Sequence, residues 1–187
     1  SFPSTLGLIL LASPIVITFG GSEFAAAASV LAWTAPIIIF IGLSNVFGIQ
    51  ILYPLGKENL VIWSTVGGAV INFILNLFLI PYWSYTGAAI STFVAELTVM
   101  LIQVVWGYRY IPFPLFEKVN MNYLIASFVM AIVIFPLTLL LNDIWLVLIL
   151  SILVGGGIYA GVLWIMKDSL FHEMMQYAFR LKNTKSL

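Results

Sequence analysis

The sequence predicts an all-α, polytopic membrane protein: a helical bundle of about six transmembrane helices followed by an amphipathic helix. Three observations carry that expectation. Hydrophobic residues are 63% of the 187-residue chain and charged residues only 7%, with a mean hydropathy of +1.14, whereas soluble domains are about a quarter charged. The apolar residues are gathered into runs long enough to cross a bilayer as helices, separated by short polar turns. All seven Lys and Arg fall on alternate connections between those runs. The chain has no cysteine, which excludes disulfides and thiolate metal sites; no cofactor and no nucleic-acid partner is expected. It begins at Ser1 without an initiator methionine or basic leader, and is read as a fragment whose N-terminal part is missing.

The expected transmembrane part covers residues 1–166 and a cytoplasmic tail residues 167–187. Residues 5–19 form a short apolar run broken by Pro14, followed by the loop Gly20-Gly21-Ser22-Glu23-Phe24. Residues 30–53 make the second span. It contains Pro36, which removes a backbone hydrogen bond and bends a helix either as a hinge or as a static kink. It also holds Asn45 and Gln50, about 140° apart on an α-helix and so on different faces; Gln50 lies where it reaches the interface. Pro54 to Asn59 is a tight turn carrying Lys57 and Glu58.

The third and fourth spans, residues 60–80 and 86–106, form a hairpin. Leu60 to Ile80 is 21 residues without a charge, about 30 Å as a helix, which matches the hydrocarbon thickness of a bilayer. On it Ser64, Gly68, Asn72 and Asn76 recur every fourth residue, a small and amide-bearing stripe that should face protein or water rather than lipid. Pro81 is expected to end this helix, with Tyr82, Trp83 and Tyr85 at the membrane boundary and Gly87-Ala88-Ala89 opening the return. The return helix carries Glu96 near mid-bilayer, with Thr92 and Gln103 at i−4 and i+7. A carboxylate at that depth costs at least about 2.5 kcal/mol and must be protonated, partnered or hydrated. Two facing polar stripes read as a cavity lining; the alternative for the amides and hydroxyls is glue between helices.

Beyond this hairpin, residues 107–120 form an interfacial connector with Arg109 and Lys118. Residues 121–141 are a fifth span bent by Pro136, and 144–166 a sixth, in which the pair Gly157-x-x-x-Gly161 favours close packing within the chain. In the tail, Leu170, Phe171, Met174, Met175, Ala178 and Leu181 share helical spacing, Asp168 or Ser169 can cap the start, and His172 is expected to face solvent or headgroups. The positive-inside rule places the basic connections and the C-terminus in the cytoplasm and the Tyr82-Trp83 turn outside.

The order Pro54-Leu55-Gly56-Lys57-Glu58, Asn72…Asn76…Ile80-Pro81, Gly87-Ala88-Ala89-Ile90-Ser91-Thr92 and Glu96 resembles the C-terminal lobe of bacterial oligosaccharide (O-antigen and exopolysaccharide) flippases, of the multidrug/oligosaccharidyl-lipid/polysaccharide exporter superfamily. The resemblance runs from about Ala12 to Gly107, and its specificity lies in the order and spacing of the pieces. It implies one lobe of a two-lobe inner-membrane transporter, not an enzyme, that moves an undecaprenyl-diphosphate-linked oligosaccharide across the bilayer by alternating access. The implied partners are that lipid-linked oligosaccharide, membrane lipids, an N-terminal lobe of the same protein, and a coupling proton or sodium ion at Glu96. The candidate pathway residues are Glu96, Asn72, Asn76, Thr92, Gln103, Asn45 and Gln50. No Lys or Arg lies within any span to meet the diphosphate. Three alternatives stand beside this reading: a cation-coupled multidrug exporter lobe, an integral-membrane glycosyltransferase or polymerase, and a structural membrane subunit. The external loops hold only Glu23 and Asp143, which argues against the enzyme.

Overall fold

The computed structural model describes residues 1–111, 118–174 and 177. Among these the chain is helical, with no strand. Two compact units form, Pro3–Phe113 and Pro114–Leu187. The first contains α1 (Phe2–Leu10), α2 (Ala12–Gly20), α3 (Ala27–Thr34), α4 (Ile37–Ser44), a π-helical segment Asn45–Leu52 and α5 (Glu58–Gly107); the second contains α6 (Lys118–Leu140) and α7 (Ile144–Ile165).

Four stretches are long and apolar enough to cross a membrane, Ala27–Leu52, Glu58–Tyr110, Met121–Leu140 and Ile144–Ile165, and the bent pair α1 and α2 makes a fifth if taken as one span. The difference from six lies in α5. Its 50 residues run as helix on both sides of Ser84, whose φ of 46° and ψ of −125° are not helical. The two limbs, residues 58–83 and 85–107, lie against each other: Gln103 bonds to Ser64 and Asn72 to Thr92. Pro81 therefore does not end the helix. It sits inside the first limb, which continues through Trp83 and reverses at Ser84.

Other breaks also move. The first apolar run bends by 66° between α1 and α2, at Leu11 rather than at Pro14. A proline ring collides with the carbonyl four residues earlier, so Pro14 disrupts the chain near Leu10 and itself occupies the first turn of α2, where a missing N–H costs no bond. Pro36 divides α3 from α4, and the Thr5 hydroxyl, buried, donates to the neighbouring Ala35 carbonyl at 3.3 Å. Pro136, by contrast, is carried inside an unbroken α6.

Apolar and polar groups are distributed as lipid would select. Large apolar side chains of α5 to α7 such as Phe73, Phe78, Ile132 and Leu139 are exposed, while Ser64, Ser91, Gln103, Ser127 and Ser151 are buried. In water the reverse pattern is the rule; in hydrocarbon, small and polar groups belong between helices. At Gly68 the limbs of α5 come so close that a Cβ would collide with Val99 Cγ2.

In the second unit α6 and α7 pack through Gly155, against Ile134 and Met130. Among the described residues the expected Gly157-x-x-x-Gly161 contact is not made: nothing stands within 4 Å of where either Cβ would be. The two glycines fall on a different side of α7 from Gly155. Past α7, Asp168 accepts from the Phe171 N–H at 3.0 Å, the Tyr123 hydroxyl at 2.8 Å and the Asn122 amide at 3.3 Å, capping the tail and tying it to α6. His172 does not face solvent freely; half-buried, it stacks on Trp164 with ring centroids 5.1 Å apart. Met175, Ala178 and Leu181 of the expected amphipathic face lie outside the described residues.

Candidate functional site

A partly open cavity of about 510 Å³ lies within the first unit. That size is in the range of small-molecule sites, roughly 300–1,000 Å³. The two limbs of α5 form most of its wall, and the α4/π-helical stretch closes another side with Ser44, Asn45 and Ile49. Val61, Ala95 and Val99 supply apolar wall; Thr65, Asn72, Thr92, Glu96 and Gln103 supply polar groups.

Five of the seven residues singled out in the sequence meet here: Asn45, Asn72, Thr92, Glu96 and Gln103. Asn76 does not line the cavity. Its Nδ2 donates to Asn72 Oδ1 at 2.9 Å, so its role is to hold Asn72. Gln50 is exposed and also outside the lining. The α-helical angle assumed for Asn45 and Gln50 does not apply, because residues 45–52 are π-helical and hydrogen-bond i to i+5, as in Tyr53 N–H to Gly48 O at 3.0 Å.

Toward the Ser84 end, the Thr92 hydroxyl donates to Ala88 O at 2.9 Å. Thr92 Oγ1 is then an acceptor for Asn72 Nδ2 at 3.4 Å, and this leaves Asn72 Oδ1 to receive Asn76. At the other end Ser64 donates to Val61 O at 2.7 Å and accepts from Gln103 Nε2 at 2.9 Å. From Thr92 to Gln103 is about 16 Å along the helix axis. Between them stands Glu96, half-buried, in a lining that holds no Lys, Arg or His to pair with it.

The arrangement thus divides the polar stripe into two kinds of group. Ser64 ties one limb to the other through Gln103, Asn76 holds Asn72 within their own limb, and both orient the amides that reach the cavity. Glu96 has no Lys, Arg or His in the wall to pair with. Ser44, Thr65 and the orienting role of Ser64 escape notice in the sequence. Ser64 belonged to a visible four-residue stripe, but nothing in the order of residues signals that Ser44, the last residue of α4, would reach the wall.

Among the described residues no group of three His, Cys, Asp or Glu side chains is placed to hold a metal ion. Comparison of the chain with protein-family models, with curated proteins and with solved structures gives no match.

Proposed function

We propose that this chain is one lobe of an inner-membrane carrier that moves an undecaprenyl-diphosphate-linked oligosaccharide from the inner to the outer leaflet by alternating access. The observation that carries the reading is Glu96: a carboxylate in the wall of a partly open cavity lined by both polar and apolar groups, among helices whose other faces are apolar. A purely structural subunit has no need of such a group, since a carboxylate at membrane depth without a partner is costly. Counting each limb of α5 as a crossing, and α1 with α2 as one, gives six spans with both ends in the cytoplasm, in accord with the alternating placement of Lys and Arg. Sugar hydroxyls suit the amides and hydroxyls of the lining, lipid tails suit the apolar outer faces, and Glu96 serves as the proton- or cation-coupling group.

One observation favours a second reading. The lining contains a carboxylate and no basic residue, which complements a cation better than a diphosphate. On the first reading the diphosphate is met by the other lobe or by amides alone; on the second the cargo is a cationic drug. Deletion of the gene followed by complementation separates them. The expected outcome is loss of surface polysaccharide on deletion, recovery with the wild-type chain, and at least about tenfold lower recovery with Glu96→Gln, a loss equal to roughly 1.4 kcal/mol. Full recovery with Glu96→Gln removes the coupling role, and unchanged polysaccharide with raised sensitivity to cationic dyes favours drug export.

A further inference from the structure

Past α7 the chain is turned and clamped. Lys167 takes a φ of 51°, and the N–H groups of Lys167 and Asp168 donate to Trp164 O and Leu163 O, both at 3.1 Å. This is the paired closure of a helix end in which the left-handed position usually goes to glycine. Here a lysine fills it, so a positive charge stands at the turn. Helix resumes at residues 169–174 and at Tyr177, started by the Asp168 carboxylate and held by the His172 ring on Trp164. Those two rings belong to residues about 12 Å apart along a straight helix, so their 5.1 Å separation fixes the bend. The clamp decides which side of the tail is left open. Asp168 is buried and Phe171 and His172 are half-buried, whereas Leu170, Met174 and Tyr177 are each more than half exposed. The last three recur at i, i+4 and i+7, a single stripe on a helix. Ser169 and Glu173, also exposed, lie roughly 60–100° to one side of Leu170.

We propose that this tail helix docks on anionic lipid headgroups at the end of the protein where α7 leaves the bilayer. Leu170, Met174 and Tyr177 enter the boundary between headgroups and acyl chains, and the basic residues supply the attraction to lipid phosphate. The proposal stands apart from the carrier reading and needs only that α7 crosses a membrane. Position and charge both select this partner. Leu170 follows Ile165, the last residue of an apolar span, by five residues, so the open stripe starts at the headgroup zone. From residue 167 onward the sequence holds Lys167, Arg180, Lys182 and Lys185 against Asp168 and Glu173. Asp168 is buried and committed to its hydrogen bonds, so Glu173 alone opposes four positive charges. Helices divided in this way bind according to their apolar area and the negative charge of the surface. A second copy of the tail fits less well, because it brings the same excess of positive charge.

The chain has no cysteine, so spin labels can be placed one at a time. The full chain, one copy per nanodisc, is labelled through Ser169→Cys, Leu170→Cys, Glu173→Cys or Met174→Cys, and collisions with oxygen and with a water-soluble nickel chelate are read by EPR. In discs of phosphatidylcholine mixed with phosphatidylglycerol, Leu170→Cys and Met174→Cys are expected to be shielded from nickel, and Ser169→Cys and Glu173→Cys open to it. In phosphatidylcholine alone the docked-to-free ratio is expected to fall at least about fivefold, the effect of one basic residue near an anionic surface. Salt at about 1 M, which screens beyond about 3 Å, should lower it likewise in the mixed discs. So should Arg180→Gln, Lys182→Gln and Lys185→Gln combined, changes that leave the clamp at Lys167 and Asp168 untouched. Equal nickel access at every site, the same pattern in both lipids, or indifference to salt and to the charge changes each overturns the proposal. Shielding that persists without lipid in amphipol, or that appears only with two chains per disc, assigns the stripe to the chain itself or to a second copy, and overturns it too. The carrier reading fails separately, in the complementation assay with Glu96→Gln, which does not depend on the tail.

Discussion

Asp168 shows how a single charged side chain is accommodated where α6, α7 and the tail meet. It is 2% exposed. Burial pushes its carboxyl up, but the Phe171 N–H, the Tyr123 hydroxyl and the Asn122 amide outweigh this and hold it below the ordinary carboxylate value. The folded state therefore prefers the ionised form. Its contribution is complete above the unfolded value of about 3.9 and is lost as pH falls through the lower folded value. Asp168→Ala is expected to destabilise the protein by about 2 kcal/mol, the range for hydrogen bonds to a charged group. Thermal unfolding in detergent as a function of pH should show the acid limb in the wild type and a flatter one in the variant; an unchanged limb removes Asp168 as its source. The capping role of Asp168 was legible in the sequence from its place before an apolar helical pattern. The roles of Asn72 and Asn76 were not separable there: they sit one turn apart, and only the crossing helix, through Thr92, decides which amide reaches the cavity.

At the level of elements, the limbs of α5 are held by two close approaches, Gly68 against Val99 and Gly87 against the Leu79 backbone, and two polar ties. Gly68→Ala is expected to cost about 1–3 kcal/mol, because β-branched Val99 has no free rotation with which to escape the new methyl. Val99→Ala should restore most of it, so a double-mutant cycle of detergent unfolding should return a coupling well above zero; additive losses would mean that the limbs do not meet at Gly68. The paired apolar runs and the polar stripe predicted this hairpin, because length, charge depletion and four-residue spacing are properties of the residues themselves. Three features were not legible. Proline acts on the carbonyl four residues upstream, which moved the first break from Pro14 to Leu11. The reversal fell at Ser84, where no glycine marks it. The π winding of Asn45–Leu52 leaves no trace in composition, since it changes only which backbone groups pair.

Across the whole chain, sidedness is the property most open to experiment. The basic residues mark one set of connections, and the absence of cysteine means that any introduced thiol is the only one. Tyr82 is 84% exposed beside the Ser84 reversal. With a membrane-impermeant maleimide, Tyr82→Cys is expected to label in intact cells and Lys57→Cys only after the membrane is opened. Labelling of both from the same side would rule out separate crossings for the two limbs. The Ser84 reversal also bears on how the protein is made. As a straight rod the 50 residues of α5 would measure about 75 Å, more than twice the roughly 30 Å of hydrocarbon available. Doubled back, they leave the ribosome as a pair: Gln103 follows Ser64 by 39 residues, only about 2–8 s of translation at typical speeds. The hairpin thus supplies each of these two side chains with its partner in the opposite limb within seconds of its synthesis.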